Sequence, residues 1–161
     1  MRLRSAAQTH VGMRRQDNED RHAIVADLGL FLVADGMGGH KAGQVASQLA
    51  CEAASRAIET LQGASVSPAE RLRYAVAFAN REIFQAAEAK AELAGMGTTF
   101  VAMLFGEERL ALAHVGDSRA SLMHLAAQSA RAWVGYTLLD RVALLAWAAA
   151  LLITLTVLSI N

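Results

Sequence analysis

The residues with the most chemistry to offer sit where strands begin or end. Val33-Ala34-Asp35-Gly36-Met37-Gly38-Gly39-His40 follows the apolar run Leu30-Phe31-Leu32, so a buried strand delivers a carboxylate to its own end. The glycines after it allow a tight turn and close approach of other atoms to the main chain. A carboxylate with a free carbonyl beside it is a good start for a hard-cation site, because such ions take oxygen ligands. Arg15-Gln16-Asp17-Asn18-Glu19-Asp20 packs a guanidinium and three carboxylates into six residues, immediately before another strand. A run of that kind is commonly a solvated loop with local salt bridges, but its place next to the Asp35 strand keeps a functional reading open. Gly95-Met96-Gly97-Thr98-Thr99 reads by itself as a turn into a strand. His114-Val115-Gly116-Asp117-Ser118-Arg119 closes a later strand with an acid, a hydroxyl and a base, again a turn in its plainest reading.

These segments need elements to hold them. Residues 6 to 13, 22 to 27 and 30 to 35 read as strands, with Leu28-Gly29 turning between the last two. From Lys41 to Leu61 apolar residues recur every four positions (Val45, Leu49, Ala53, Ala57), which makes one face of a helix. Ser67-Pro68-Ala69-Glu70 is a capping box with proline at the first helical position, and it starts a second helix whose face is Leu72, Val76, Ala79, Ile83 and Ala87. Gly95-Met96-Gly97 ends that region. Thr98 to Phe105 and Arg109 to Val115 then read as a hairpin around Gly106-Glu107-Glu108, and Ser121 to Leu125 continues as a strand. Strands, then two antiparallel helices, then strands predict an α+β fold in layers.

Taken in order, the four segments resemble the PPM family, the metal-dependent protein serine/threonine phosphatases of type 2C, in their bacterial form. Arg15 with Asn18-Glu19-Asp20, the VADGMGGH element at 33 to 40 followed by Gly43 and Ala46-Ser47, GMGTT at 95 to 99 and VGDSR at 115 to 119 carry the resemblance. It spans about residues 8 to 122. The resemblance implies the N-terminal part of a four-layer α-β-β-α sandwich, with antiparallel sheets inside and helices flanking them. It implies Asp35 bridging two Mn²⁺ or Mg²⁺ ions, the Gly36 carbonyl binding one of them, Glu19 holding metal-bound water with Asp20 in support, and Asp117 serving a third, weaker metal position. Arg15 would grip the substrate phosphate through a charge-assisted fork, and His40 is a candidate for proton transfer. The implied activity is phosphoprotein dephosphorylation by metal-activated water, without a phospho-enzyme. The implied partners are phosphoserine and phosphothreonine proteins and a Ser/Thr kinase.

The resemblance also implies aspartates from later strands. Only Asp140 follows Asp117, and it matches neither later motif, so the binuclear centre is expected to be incomplete in this chain. A frameshift, a truncation or a gene fusion would each produce that. A second reading is a non-catalytic, membrane-anchored phosphoprotein-binding module, or a gene fragment.

Composition divides the chain in the same place. After Arg119 the charged residues are Arg131, Asp140 and Arg141, and 142 to 160 is an uninterrupted 19-residue stretch without a charge. As a helix it would reach about 28 Å, close to the roughly 30 Å of a hydrocarbon core. The expected organisation is a partial phosphatase domain at 1–125, a linker at 126–140 and a transmembrane helix at 141–160. Arg131 and Arg141 precede the span and no basic residue follows, which places the N-terminal domain in the cytoplasm. No apolar run follows the basic Met1-Arg2-Leu3-Arg4, so no signal peptide is expected. Fifteen basic against 15 acidic residues give no electrostatic case for nucleic acid, and the single cysteine, Cys51, excludes an internal disulfide framework.

Overall fold

The computed structural model describes residues 4–13, 15–38, 41–107, 109–124, 135–137 and 151–156. Strand β1 (Asp20–Val25) turns through a short 3-10 segment and Gly29 into β2 (Leu30–Met37), which is its antiparallel partner. Two helices follow, α1 (Lys41–Thr60) and α2 (Pro68–Ala89), and the chain returns through β3 (Gly97–Thr98), β4 (Phe100–Phe105) and β5 (Leu110–Val115). The main sheet runs β1-β2-β4-β5, with β3 paired to the end of β2. All of its pairings are antiparallel. This is the α+β arrangement expected from the strand-helix-strand order.

The period-2 pattern of β2 decides what faces the helices. Leu30, Leu32 and Ala34 are buried, whereas Phe31, Val33 and Asp35 alternate with them on the other face. The buried set packs with Ala102 and Leu104 of β4 against Ala50, Ala54, Ala57 and Ile58 of α1 and Leu72 and Ala75 of α2. Alanines along α1 let the helix lie close to the sheet, and that closeness matters at the site. The α2 boundary is the capping box the sequence specifies. Ser67 Oγ accepts from the Glu70 amide at 3.3 Å, and Glu70 Oε2 accepts from the Ser67 amide at 3.1 Å.

Two expectations change. Residues 6 to 13 form no strand: Gln8, Thr9 and His10 are exposed polar residues that give a strand no face to bury. Along the charge-free run, Leu151–Thr156 is a strand, β8, rather than helix. A short apolar run rich in β-branched residues (Ile153, Thr154, Thr156) cannot be told from a helix by periodicity alone. With β6 (Arg119–His124) and β7 (Gly135–Thr137) it forms a second antiparallel sheet of order β7-β6-β8. Most of the expected linker and membrane segment lies outside the described residues. Among those described, no helix is long and apolar enough to cross a membrane.

Candidate metal and phosphate site

Strand register brings the two acidic segments together. Asp20 opens β1 directly opposite Asp35 near the end of β2, and directly opposed residues share a face of the sheet. Placed opposite each other, the two carboxylates each raise the cost of ionising the other. The Asp35 acid is pushed up to about 6, first by burial, then by the charge of Asp20 and the hydrogen bond to it. The Arg15 guanidinium opposes that rise and Asp117 adds to it. Residues from two other motifs therefore act on the Asp35 carboxyl.

The fourth motif holds its backbone. Thr98 Oγ1 donates to the Asp35 carbonyl at 2.9 Å, and the Thr99 amide donates to the same oxygen at 2.8 Å. The Asp35 amide donates to Thr99 Oγ1 at 2.9 Å. Both the donor and the acceptor of Asp35 are thus fixed by Thr98-Thr99. The sequence marks these residues as a turn, and their clamping role emerges from β2–β3 pairing.

Glu19 lies one residue before Asp20 and is directed differently. Its Oε2 meets Arg15 Nη1 at 3.5 Å, and its Oε1 is buried without a hydrogen-bond partner. The carboxylate rests against the first turn of α1, where a Cβ on Gly43 would lie 3.0 Å from both Cδ and Oε1. A Cβ on Gly36 would run into the Gly43 carbonyl oxygen, so strand and helix meet there backbone to backbone. The Glu19 carbonyl accepts from the Gly36 amide at 3.1 Å and from the fully buried Ser47 hydroxyl at 2.5 Å. Gly43 and Ser47, which the motif after the glycine turn includes, therefore support the site directly. Asn18 is a turn-former: its Oδ1 accepts from the Asp20 amide at 3.0 Å.

The structure thus gathers Arg15, Glu19, Asp20, Asp35 and Gly36, with Asp117 exposed on the turn after β5 within electrostatic reach of Asp35. It puts Asp20, rather than Glu19, beside Asp35. His40 lies outside the described residues. Two opposed carboxyls, and a buried carboxylate oxygen without a donor, are what a hard cation would satisfy, so these residues fit one side of such a site. Among the described residues no group of three or more metal-ligating side chains is assembled.

The family model described as Protein phosphatase 2C matches residues 4–133. The chain is 42% identical over 121 residues to the serine/threonine protein phosphatase PstP of Mycobacterium tuberculosis, covering 75% of this chain and 23% of that protein. It is 39% identical over 120 residues to the serine/threonine phosphatase stp of Listeria monocytogenes, covering 71% of this chain and 48% of that one. A crystal structure of the PstP catalytic domain in complex with two manganese ions superposes with a TM-score of 0.67 at 39% identity, covering 74% of this chain and 50% of that one. The chain spans about half the length of the Listeria relative and less than a quarter of the mycobacterial one.

Proposed function

This chain belongs to the protein phosphatase 2C family, and from that premise we propose that it acts in metal-dependent dephosphorylation of phosphoserine and phosphothreonine in proteins. The observation that carries the reading is the opposition of Asp20 and Asp35 across the β1–β2 ladder, with Arg15 and Asp117 both bearing on Asp35. In this proposal Asp20, Asp35 and the Gly36 carbonyl hold Mn²⁺ or Mg²⁺, the two manganese ions of the PstP structure supporting the choice of ion, and Asp117 serves a further cation position. When bound, the cation supplies acidity to water and neutralises phosphate charge. Glu19 keeps Arg15 oriented at the mouth of the site. The guanidinium has five donors in a planar fork, enough to hold Glu19 and a phosphate together. His40 remains a proposed proton donor. The layers described, a sheet with helices on one face and a second antiparallel sheet, are proposed as part of a four-layer α-β-β-α sandwich.

The decisive experiment is Mn²⁺-dependent hydrolysis of a phosphothreonine peptide by the full chain beside Asp35→Asn. Turnover that needs Mn²⁺ and falls about 100-fold or more in the variant is expected, since its largest electrostatic contribution is lost. Arg15-dependent peptide binding without turnover would establish instead the non-catalytic module, a reading favoured by the absence of a three-acid cluster among the described residues. A Ser/Thr kinase that supplies the phosphorylated substrate is part of the proposal. So is membrane attachment through 142–160 with a cytoplasmic N-terminal part; the charge-free sequence supports it and the β8 strand at Leu151–Thr156 opposes it. Fractionation of cells expressing the chain with and without residues 141–161 decides that point.

A further inference from the structure

A chain of polar groups, buried at its centre, runs from the end of β2 to the turn after β5, and none of the roles above uses its far end. The Asp35 amide donates to Thr99 Oγ1 at 2.9 Å; Thr99 Oγ1 and Ser118 Oγ share a hydrogen bond of 2.7 Å. The Ser118 carbonyl lies 2.6 Å from His114 Nε2. A carbonyl only accepts, so Nε2 carries the hydrogen. Thr99 and Ser118 are 4% and 2% exposed, so neither hydroxyl has solvent to turn to if its partner is removed.

The turn between them is built to press on this pair. Gly116 has φ +98, and a Cβ there would lie 2.9 Å from Thr99 Cγ2. The Asp117 turn therefore lies directly on Thr99, with no side chain between. Asp35 and Thr99, 64 positions apart in sequence, are joined by two hydrogen bonds, and Thr99 and Ser118, 19 apart, by the hydroxyl pair alone.

We propose that the Thr99–Ser118 hydroxyl pair is a positioning device that sets the Asp117 turn against Asp35, so that cation binding at the two acids is coupled. The coupling rests on the cation-site reading above; the positioning rests on the hydrogen bonds alone. Neither residue touches the ligand. Each acts through the acid next to it: Thr99 through the Asp35 backbone, Ser118 through its place directly after Asp117. A hydroxyl at both positions is what the device requires, and their buried, mutually paired state is what makes it stiff.

The test uses the full chain and three substitutions. Thr99→Val keeps the shape and removes the hydroxyl, Thr99→Ser keeps the hydroxyl, and Ser118→Ala removes the pair from the other side should Thr99→Val fail to fold. Amide hydrogen exchange without metal is expected to speed about tenfold at Asp35 and across residues 116–119 in Thr99→Val and Ser118→Ala, the value of one hydrogen bond, and to stay within about twofold in Thr99→Ser. Calorimetric Mn²⁺ affinity is expected to weaken about tenfold in Thr99→Val, with recovery in Thr99→Ser. Asp117→Asn is then expected to weaken Mn²⁺ binding in the unaltered chain and to add little in the Thr99→Val background. Unchanged exchange at 116–119 in a folded Thr99→Val or Ser118→Ala chain would overturn the positioning role. Additive effects of Thr99→Val and Asp117→Asn would overturn the coupling. Failure of the unaltered chain to bind Mn²⁺ would overturn both the coupling and the cation reading, while exchange alone would still decide the positioning role.

Discussion

Asp35 concentrates the electrostatics of the site into one titration. Its carboxyl is ordinary in the unfolded chain, near 3.8, and raised to about 6 in the folded one. The folded state therefore binds more protons between those values, and this group favours the fold most at low pH and progressively less as pH rises from about 4 to 6. Asp35→Asn removes that slope. Without metal, the variant is expected to be more stable than the parent above pH 6 and to lose this advantage toward pH 4; thermal melts across that range check it, and equal pH profiles would refute the raised Asp35 acid. A cation has the opposite preference, because it needs the ionised carboxylate. Mn²⁺ binding should accordingly tighten through pH 6 and release a proton below it, which calorimetry in buffers of different ionisation enthalpy measures. Cys51 offers no such handle, since burial pushes its thiol up to about 12 and keeps it un-ionised and inert.

At the scale of elements, the site depends on how closely α1 lies on the end of β2. Gly36 meets the Gly43 carbonyl with no room for a methyl group, and the obstacle is backbone rather than a movable side chain. Gly36→Ala is expected to cost about 1–3 kcal/mol by overpacking and to disturb the Glu19 carbonyl that bonds the Gly36 amide. Denaturant unfolding measures the first effect. Ser67→Ala is the contrasting case: it opens the capping box at the start of α2, far along the chain from the acids, and is expected to cost about 1 kcal/mol with Mn²⁺ affinity unchanged. If Ser67→Ala weakened metal binding as much as Gly36→Ala, closeness of α1 and β2 would not be what sets the site. The capping box was legible because its signal is local, four residues long and chemically specific. The roles of Thr98, Thr99 and Ser118 were not, because a hydroxyl looks the same in a turn and in a clamp, and only the β2–β3 pairing and the packing of the Gly116 turn distinguish them.

Over the whole molecule, order along the chain told more than any single pattern. Four short motifs in sequence identified the family and the acids, and antiparallel register then fixed which acids meet: Asp20 with Asp35, while Glu19 turns to Arg15 and α1. A one-residue difference decides that partition, because Asp20 opens the ladder opposite Asp35 and Glu19 lies just before it, against α1. At Leu151–Thr156 the charge-free run is a strand, and an uncharged run carries no period to separate helix from strand. Cation binding should be visible at this scale as well, since a ligand that binds only the folded state stabilises it by mass action. At a hundredfold excess over Kd the gain is about 2.7 kcal/mol. With about 2–4 °C per kcal/mol for a chain of this size, Mn²⁺ should raise the melting temperature by about 5–10 °C. The rise should vanish in Asp35→Asn and survive in Ser67→Ala, as measured by circular dichroism with and without Mn²⁺. A rise of equal size in Asp35→Asn would show that the cation binds elsewhere on the molecule, and the Asp20–Asp35 pair would then lose its claim to be the metal site.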